Sequence, residues 1–403
     1  MWISLSVSQN SVWKFQNNSA ELPLIVLENT SMKKHLLTTF ALLAVVAVSS
    51  VANAANLWQL KTGTPDLKSA GTLTFGPDGI FFVGDQKGAA IFAIDTGHAT
   101  GKAAAVSLDV AGVGGKVAKA LNVSAKDVTV NDLAVNPATG ETFLAVTKGS
   151  GSDATPALVK VDAKGAFSEV SLQKVAFSKV TLPNVPADKA IPSRRGPRNS
   201  RDDAITDLAY VDGRVIVSGL TAGDEGRTGS TVREIAFPFV EADHGSRIEI
   251  FHAAHGRVED GSAIRTFVPF NINGEPTLLA GYVCTPLVKF PLSSLKDGGK
   301  TVGTTVAELG NRNRPIDMIV YEKDGKDFLL LANSARGVMK ISTEDIASNK
   351  GLSKKVDGTA GQTYDTIASL QGVVQLDKLN DTTAVVLIQS EDGAMQLKTV
   401  ELP

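Results

Sequence analysis

Val130-Asn131-Asp132-Leu133-Ala134-Val135, Ile205-Thr206-Asp207-Leu208-Ala209-Tyr210 and Pro315-Ile316-Asp317-Met318-Ile319-Val320 are versions of one phrase, an aspartate at the third place followed by an apolar run. Gly71-Thr72-Leu73-Thr74-Phe75 keeps the run with threonine for the aspartate, and Ile264-Arg265-Thr266-Phe267-Val268 aligns with arginine there. Recurrence of this kind marks a fold built from one supersecondary unit used several times.

The residues around each phrase define the unit. A turn follows it: Gly-Pro-Asp-Gly at 76–79, Asn-Pro-Ala-Thr-Gly at 136–140, Val-Asp-Gly at 211–213, Glu-Lys-Asp-Gly at 322–325. Such pieces supply the positive φ angles of tight hairpins. A second apolar strand comes next, as in Phe328-Leu329-Leu330-Leu331, then a third, as in Gly337-Val338-Met339-Lys340-Ile341. A more polar fourth strand ends the unit, for example Ala105-Val106-Ser107-Leu108 or Thr305-Val306-Ala307-Glu308. Four strands at this spacing form a propeller blade, with the first strand innermost and apolar throughout because both its faces are buried. Units begin near residues 71, 130, 204, 262, 315 and 367. The expected fold is therefore all-β, a six-bladed β-propeller, or a seven-bladed one if the stretch 240–262 hides a further unit. The last unit offers three strands, so Asn56-Leu57-Trp58-Gln59-Leu60-Lys61 is expected to supply its outer strand and close the ring without an open edge. Two insertions, a short helix within 114–123 and a proline- and arginine-rich loop at 183–203, both precede an inner strand and are expected over the central channel.

The N-terminal residues carry a different message. Met32-Lys33-Lys34-His35 is a basic start, Leu36 to Val48 is apolar, and Ala52-Asn53-Ala54 is a small-x-small cleavage site. Residues 32–54 read as a secretory signal cleaved after Ala54, and residues 1–31 as a mis-assigned upstream start before Met32. The rival reading, an uncleaved anchor, has an apolar run short of the roughly 20 residues a span requires. Residues 55–403 are then expected to be a single propeller domain, exported to the periplasm or extracellular space, monomeric, with no transmembrane segment after cleavage. Cys284 is the one cysteine, so no internal disulfide forms. A formal net charge of -2 in 403 residues argues against nucleic acid as partner.

Inner strands begin around the propeller axis, so Asp132, Asp207 and Asp317 are expected to ring the channel, with Arg265 in the matching place of a fourth blade and Asn131 and Arg314 nearby. Converging carboxylate and amide oxygens suit Ca²⁺, and crowded carboxylates raise one another's pKa toward general-base use. The alternative is scaffolding: an aspartate opening an inner strand accepts backbone hydrogen bonds from the next blade or pairs with a nearby arginine. His252-Ala253-Ala254-His255 has a spacing that suits a metal on a helix. It follows the strand-like Arg247-Ile248-Glu249-Ile250-Phe251, so loop hydrogen bonding competes there with a metal or proton-relay role.

In this blade pattern, over most of the chain after residue 54, the sequence resembles the six-bladed propellers of the NHL and gluconolactonase (SMP-30) kind. That resemblance implies an axial divalent metal, here on Asp132, Asp207 and Asp317, activating water for lactone or ester hydrolysis. Walker, HExxH, nucleophile-elbow and Cys-x-x-Cys-His motifs are absent from the sequence. Two readings of function stand side by side: a binding or scaffold module taking a small polar ligand or partner protein on the channel face, and a calcium-type hydrolase.

Overall fold

Phe81 and Phe82 are neighbours in sequence and both are fully buried, yet they lie in different hydrophobic clusters. Their strand, Ile80–Asp85, is covered on both faces, which is why it has no polar alternation. The second strands of the other blades, such as Arg214–Ala222 and Glu275–Tyr282, have the same buried run in the computed structural model, which describes residues 57–192, 196–284 and 286–403. The stretches read as upstream segment and signal peptide lie outside the described residues.

Apart from the two-stranded ribbon of Ala190–Ile191 and Arg198–Asn199, the strands among the described residues form six radial, mainly antiparallel sheets. Blade 1 runs outward through Leu73–Phe75, Ile80–Asp85, Ala90–Asp95, Val175–Thr181 and Lys61–Gly63. Blade 2 comprises Val128–Val135, Thr142–Lys148, Thr155–Val161 and Phe167–Glu169. Blade 3 comprises Asp207–Val211, Arg214–Ala222, Thr228–Ala236, Ser246–His252 and Arg257–Glu259, with Lys300–Val302 added in parallel to Ser246–His252. Blade 4 comprises Ile264–Ile272, Glu275–Tyr282, Pro286–Pro291, Thr304–Leu309 and Thr359–Gly361. Blade 5 comprises Pro315–Lys323, Lys326–Asn333, Gly337–Ser342 and Tyr364–Thr366, and blade 6 comprises Val373–Lys378, Thr383–Gln389, Met395–Glu401 and Asp109–Ala111. The fold is a six-bladed β-propeller. The stretch 240–262 holds the outer hairpin of blade 3, not a seventh blade.

The hairpin turns obey local chemistry. Asp212–Gly213, Asn273–Gly274 and Asp324–Gly325 all have positive φ at both residues, the backbone that a two-residue hairpin linking right-twisted strands needs.

The order of blades around the ring differs from their order in the chain. Inner strands pack against one another in the sequence 1–3–4–5–6–2 and back to 1, and each junction has its own apolar cluster. Blade 1 thus stands between blades 2 and 3. After the three inner strands of blade 1 the chain crosses to the outer edge of blade 6, where Asp109–Ala111 pairs with Gln396–Lys398. It then forms the helix Val113–Ala120, builds blade 2, and returns to lay Val175–Thr181 on Ala90–Ile94 of blade 1. The ring is therefore closed by Asp109–Ala111 and not by the N-terminal strand. Lys61–Gly63 instead pairs with Val175–Phe177 at the rim of blade 1. Ala105-Val106-Ser107-Leu108, expected as an outer strand of blade 1, is the crossing segment. The helix does not cover the channel. Val113, Val117 and Leu121 are buried in the cluster between blades 2 and 6.

Candidate functional site

Each inner strand that carries the repeated aspartate after a paired first residue has one residue bulged out just before it: Asn131 between Val130 and Asp132, and Ile316 between Pro315 and Asp317. Blade 4 has the same bulge between Ile264 and Thr266. Thr266, not Arg265, therefore occupies the aspartate position in blade 4, and Arg265 matches Asn131. A bulge re-aims side chains, and the arginine is turned away from the hub.

Asp132, Asp207 and Asp317 do share one central cavity of about 250 Å³. A fourth carboxylate, Asp377, lines it with them, whereas Asn131, Arg265 and Arg314 do not. Asp377 escaped the repeat because blade 6 has Gln375 at the aspartate position. Residues two apart on a strand face the same side, so Asp377 reaches the same channel one step further along.

Every axial carboxylate accepts two backbone amides. Asp207 takes its own Leu208 at 2.8 Å and Phe267 of blade 4 at 2.7 Å. Asp317 takes Met318 at 2.8 Å and Leu376 of blade 6 at 2.9 Å. Asp132 takes Leu133 and, at 2.7 Å, Leu73 of blade 1. In ring order these aspartates stand in alternate blades, so three carboxylates join the six blades in pairs. Asp377 repeats the device one tier along, accepting Lys378 at 2.7 Å and Val135 of blade 2 at 2.7 Å. Neutral amides next to Asp132 complete the hub: Asn131 Nδ2 donates to Ala70 O at 2.7 Å, and Gln375 Nε2 donates to Asn131 O at 3.0 Å.

Protein surrounds these carboxyls, and burial is the main cause of their raised pKa values. Asp207 is pushed to about 7 and Asp377 to about 6. Asp132 and Asp317 lie well above the usual carboxylate range, through burial first and then through the charge of neighbouring axial aspartates. Alternate-blade placement also keeps the carboxylates apart: among the described residues, the only three His, Cys, Asp or Glu side chains with ligand atoms mutually within 4.8 Å are His252, His255 and Glu259.

A cluster outside the cavity lining has the opposite character. Arg265 Nη1 donates to Asp203 Oδ1 at 2.7 Å and Arg198 Nη2 to Asp203 Oδ2 at 3.0 Å. Burial alone would raise Asp203, but the two guanidiniums outweigh it and hold its pKa below the ordinary value. Arg265 Nε is buried without a partner. Arg314 stands close enough to Arg265 that burial and then this like charge lower its pKa. Arg201 donates to Pro186 O at 2.6 Å and to Lys87 O at 3.0 Å.

His252 and His255 lie at the outer rim, on the Ser246–His252 and Arg257–Glu259 hairpin of blade 3. Burial would raise Glu259, but hydrogen bonds from His252, His255 and Arg257 prevail and hold it at about 2.

No protein-family model and no curated protein matches the chain. Among solved structures, the chain is similar over 84% of its length to 97% of a PQQ-bound aldose sugar dehydrogenase from Streptomyces coelicolor, at 12% identity and a TM-score of 0.29. It is similar over 85% of its length to the whole (100%) of a putative oxidoreductase (glucose dehydrogenase) from Thermus thermophilus, at 11% identity and a TM-score of 0.33. Likenesses at this level assign no chemistry to this chain. No helix among the described residues is long and apolar enough to cross a membrane.

Proposed function

We propose that this chain is an exported β-propeller that binds a small polar ligand, or a side chain of a partner protein, on the channel face, and that the group it recognises is anionic. The observation that carries this reading is the charge of the arginine cluster outside the cavity lining. Asp203 is already bracketed by Arg265 and Arg198, Arg314 adds a third guanidinium close enough to feel both Arg265 and Asp203, and Arg265 keeps a buried Nε–H without an acceptor. Planar guanidiniums held close together are suited to bidentate recognition of carboxylate or phosphate.

The hydrolase reading requires axial carboxylates free to hold an ion and a water. Each of them instead spends its oxygens on two backbone amides. That commitment favours a scaffold whose recognition lies above the hub. The export component rests on residues 32–54 of the sequence.

Titration of the purified protein with citrate, gluconate and inorganic phosphate, followed by calorimetry, tests the proposal. At least one should bind with an affinity that weakens as salt rises, and Arg314→Ala should weaken it about tenfold or more. Asp203→Asn, which frees both bracketing arginines, should tighten it. If none of the three anions binds, or Arg314→Ala binds like the parent, the reading is wrong.

A further inference from the structure

We propose that His252, His255 and Glu259 bind one zinc-class divalent cation at the rim between blades 3 and 4, with Glu308 as the outer carboxylate that orients His252. This site is independent of the reading given for the channel face.

The placement comes from strand register. Ile250 pairs with Glu259 and His252 with Arg257, so the hairpin brings Glu259 back beside both histidines. His252 Nδ1 is 2.9 Å from Glu259 Oε2, and His255 Nδ1 is 2.8 Å from Glu259 Oε1. One ligand atom from each of the three residues lies within 4.8 Å of the others. Arg257 Nε, on an exposed side chain, and Ser262 Oγ also approach Glu259, at 3.0 and 3.4 Å.

Two orphaned atoms point to a cation. A neutral imidazole has one proton, and a hydrogen bond to Glu259 places that of His252 on Nδ1. Its Nε2 is then a bare lone pair on a side chain of a residue only 2% exposed, and it has no hydrogen-bond partner. What it faces, at 4.0 Å, is the carboxylate of Glu308, a residue 0% exposed whose Oε2 also lacks a partner. Two acceptors buried against each other are unfavourable. A divalent ion in place of the Nδ1 proton removes the conflict. Nδ1 becomes a ligand, the proton moves to Nε2 with none lost, and Nε2–H donates to Glu308. This is the carboxylate–histidine–metal relay that fixes tautomer and ring orientation in metal sites. Glu259 and Glu308 together neutralise the ion. Two imidazoles with carboxylate suit zinc and its later first-row neighbours, whereas calcium prefers an all-oxygen shell.

The ion would act as a staple. Ala254 N already donates to Glu308 Oε1 at 3.0 Å, and Thr305 Oγ1 donates to Phe251 O at 2.6 Å, docking the hairpin on the outer strand of blade 4.

The test uses untagged protein stripped with a chelator, titrated with ZnCl₂ at neutral pH, and read by calorimetry and melting temperature. One equivalent should bind and raise the melting temperature, and CaCl₂ should do neither. His255→Ala removes an exposed side chain, so the stripped variant should melt like the parent yet bind zinc about tenfold or more weakly; Glu308→Gln should weaken binding about 10–100-fold. The proposal is overturned if zinc fails to saturate at one equivalent, if His255→Ala binds zinc like the parent, or if ¹⁵N spectra of the stripped protein show a doubly protonated His252 at neutral pH, the cluster then being satisfied by a proton.

Discussion

The Asp132 carboxylate accepts the backbone N–H of Leu73 at 2.7 Å, a bond that runs backward along the chain, from blade 2 to blade 1. The equivalent bonds of Asp207 and Asp317 run forward, to Phe267 and Leu376. One clasp serves both directions because the order of blades in space decides which amide comes next. Leaving aside Asp377, which lies one tier along, the clasp occurs irregularly in chain order, in blades 2, 3 and 5. In ring order it occurs in every other blade, so the hub has an approximate threefold character that the sequence does not display.

The hub sets an unusual pH dependence. Asp207 titrates near 7 and Asp377 near 6 in the folded protein, against an ordinary value of 3.8. A carboxyl that holds its proton more tightly when folded adds stability that is complete below the unfolded pKa and is lost as pH rises through the folded one. Carboxylates held low by cations, such as Asp203 beneath Arg265 and Arg198, act oppositely and lose their contribution as pH falls. The melting temperature should therefore peak near about pH 4–5 and decline by several degrees toward about pH 8. Asp207→Asn cannot ionise and should flatten that decline. Asp207→Ala leaves the amides of Leu208 and Phe267 bare and should cost about 2–4 kcal/mol in urea denaturation. A melting temperature that rises steadily from pH 5 to 8 would mean that the hub carboxyls are ionised and compensated.

Ring closure can be trapped covalently. Val110 and Leu397 are directly paired, and antiparallel partners lie about 4.5–5.5 Å apart, within reach of a disulfide. In a Cys284→Ser background, Val110→Cys with Leu397→Cys should oxidise readily and keep the native fold. Lys61→Cys with Leu397→Cys should remain reduced, since Lys61 pairs with Phe177 instead. Mass spectrometry of non-reduced peptides distinguishes the two, and efficient oxidation of the second pair would restore the N-terminal strand as the closing element.

The blades were legible because their signals are local. Apolar runs mark strands buried on both faces, and Asp-Gly pairs mark their turns, so Ile80–Asp85 and Lys326–Asn333 follow from the sequence. The exchanged order of blades 1 and 2 was not legible. It depends on whether Asp109–Ala111 and Val175–Thr181 turn to one neighbour or another, and a short outer strand has no pattern that names its partner. Three axial aspartates were readable from the repeat, while Asp377 was hidden by a displacement of two residues. Arg265 was misaligned by one, because a bulge shifts register without leaving a mark in composition. Glu259 and Glu308 could not be connected to the histidines without knowing that the outer hairpin of blade 3 docks on blade 4.

The ring order makes one further demand, on two adjacent phenylalanines. Phe81 packs toward blade 2, its ring centroid 5.0 Å from that of Phe143 there and 4.8 Å from that of Phe75 in its own blade. Phe82 packs toward blade 3, 5.7 Å from Tyr210 and 4.9 Å from Phe237. Either truncation to alanine removes a fully buried ring and should cost about 3–5 kcal/mol. Their local effects should differ, because blades open separately before the whole ring unfolds. Phe81→Ala should speed amide exchange in Thr142–Lys148 of blade 2 and leave Arg214–Ala222 of blade 3 protected, and Phe82→Ala should do the reverse. A ring in simple chain order would set blade 1 between blades 6 and 2, so faster exchange in Thr383–Gln389 on Phe82→Ala, with blade 3 untouched, would refute the exchanged order.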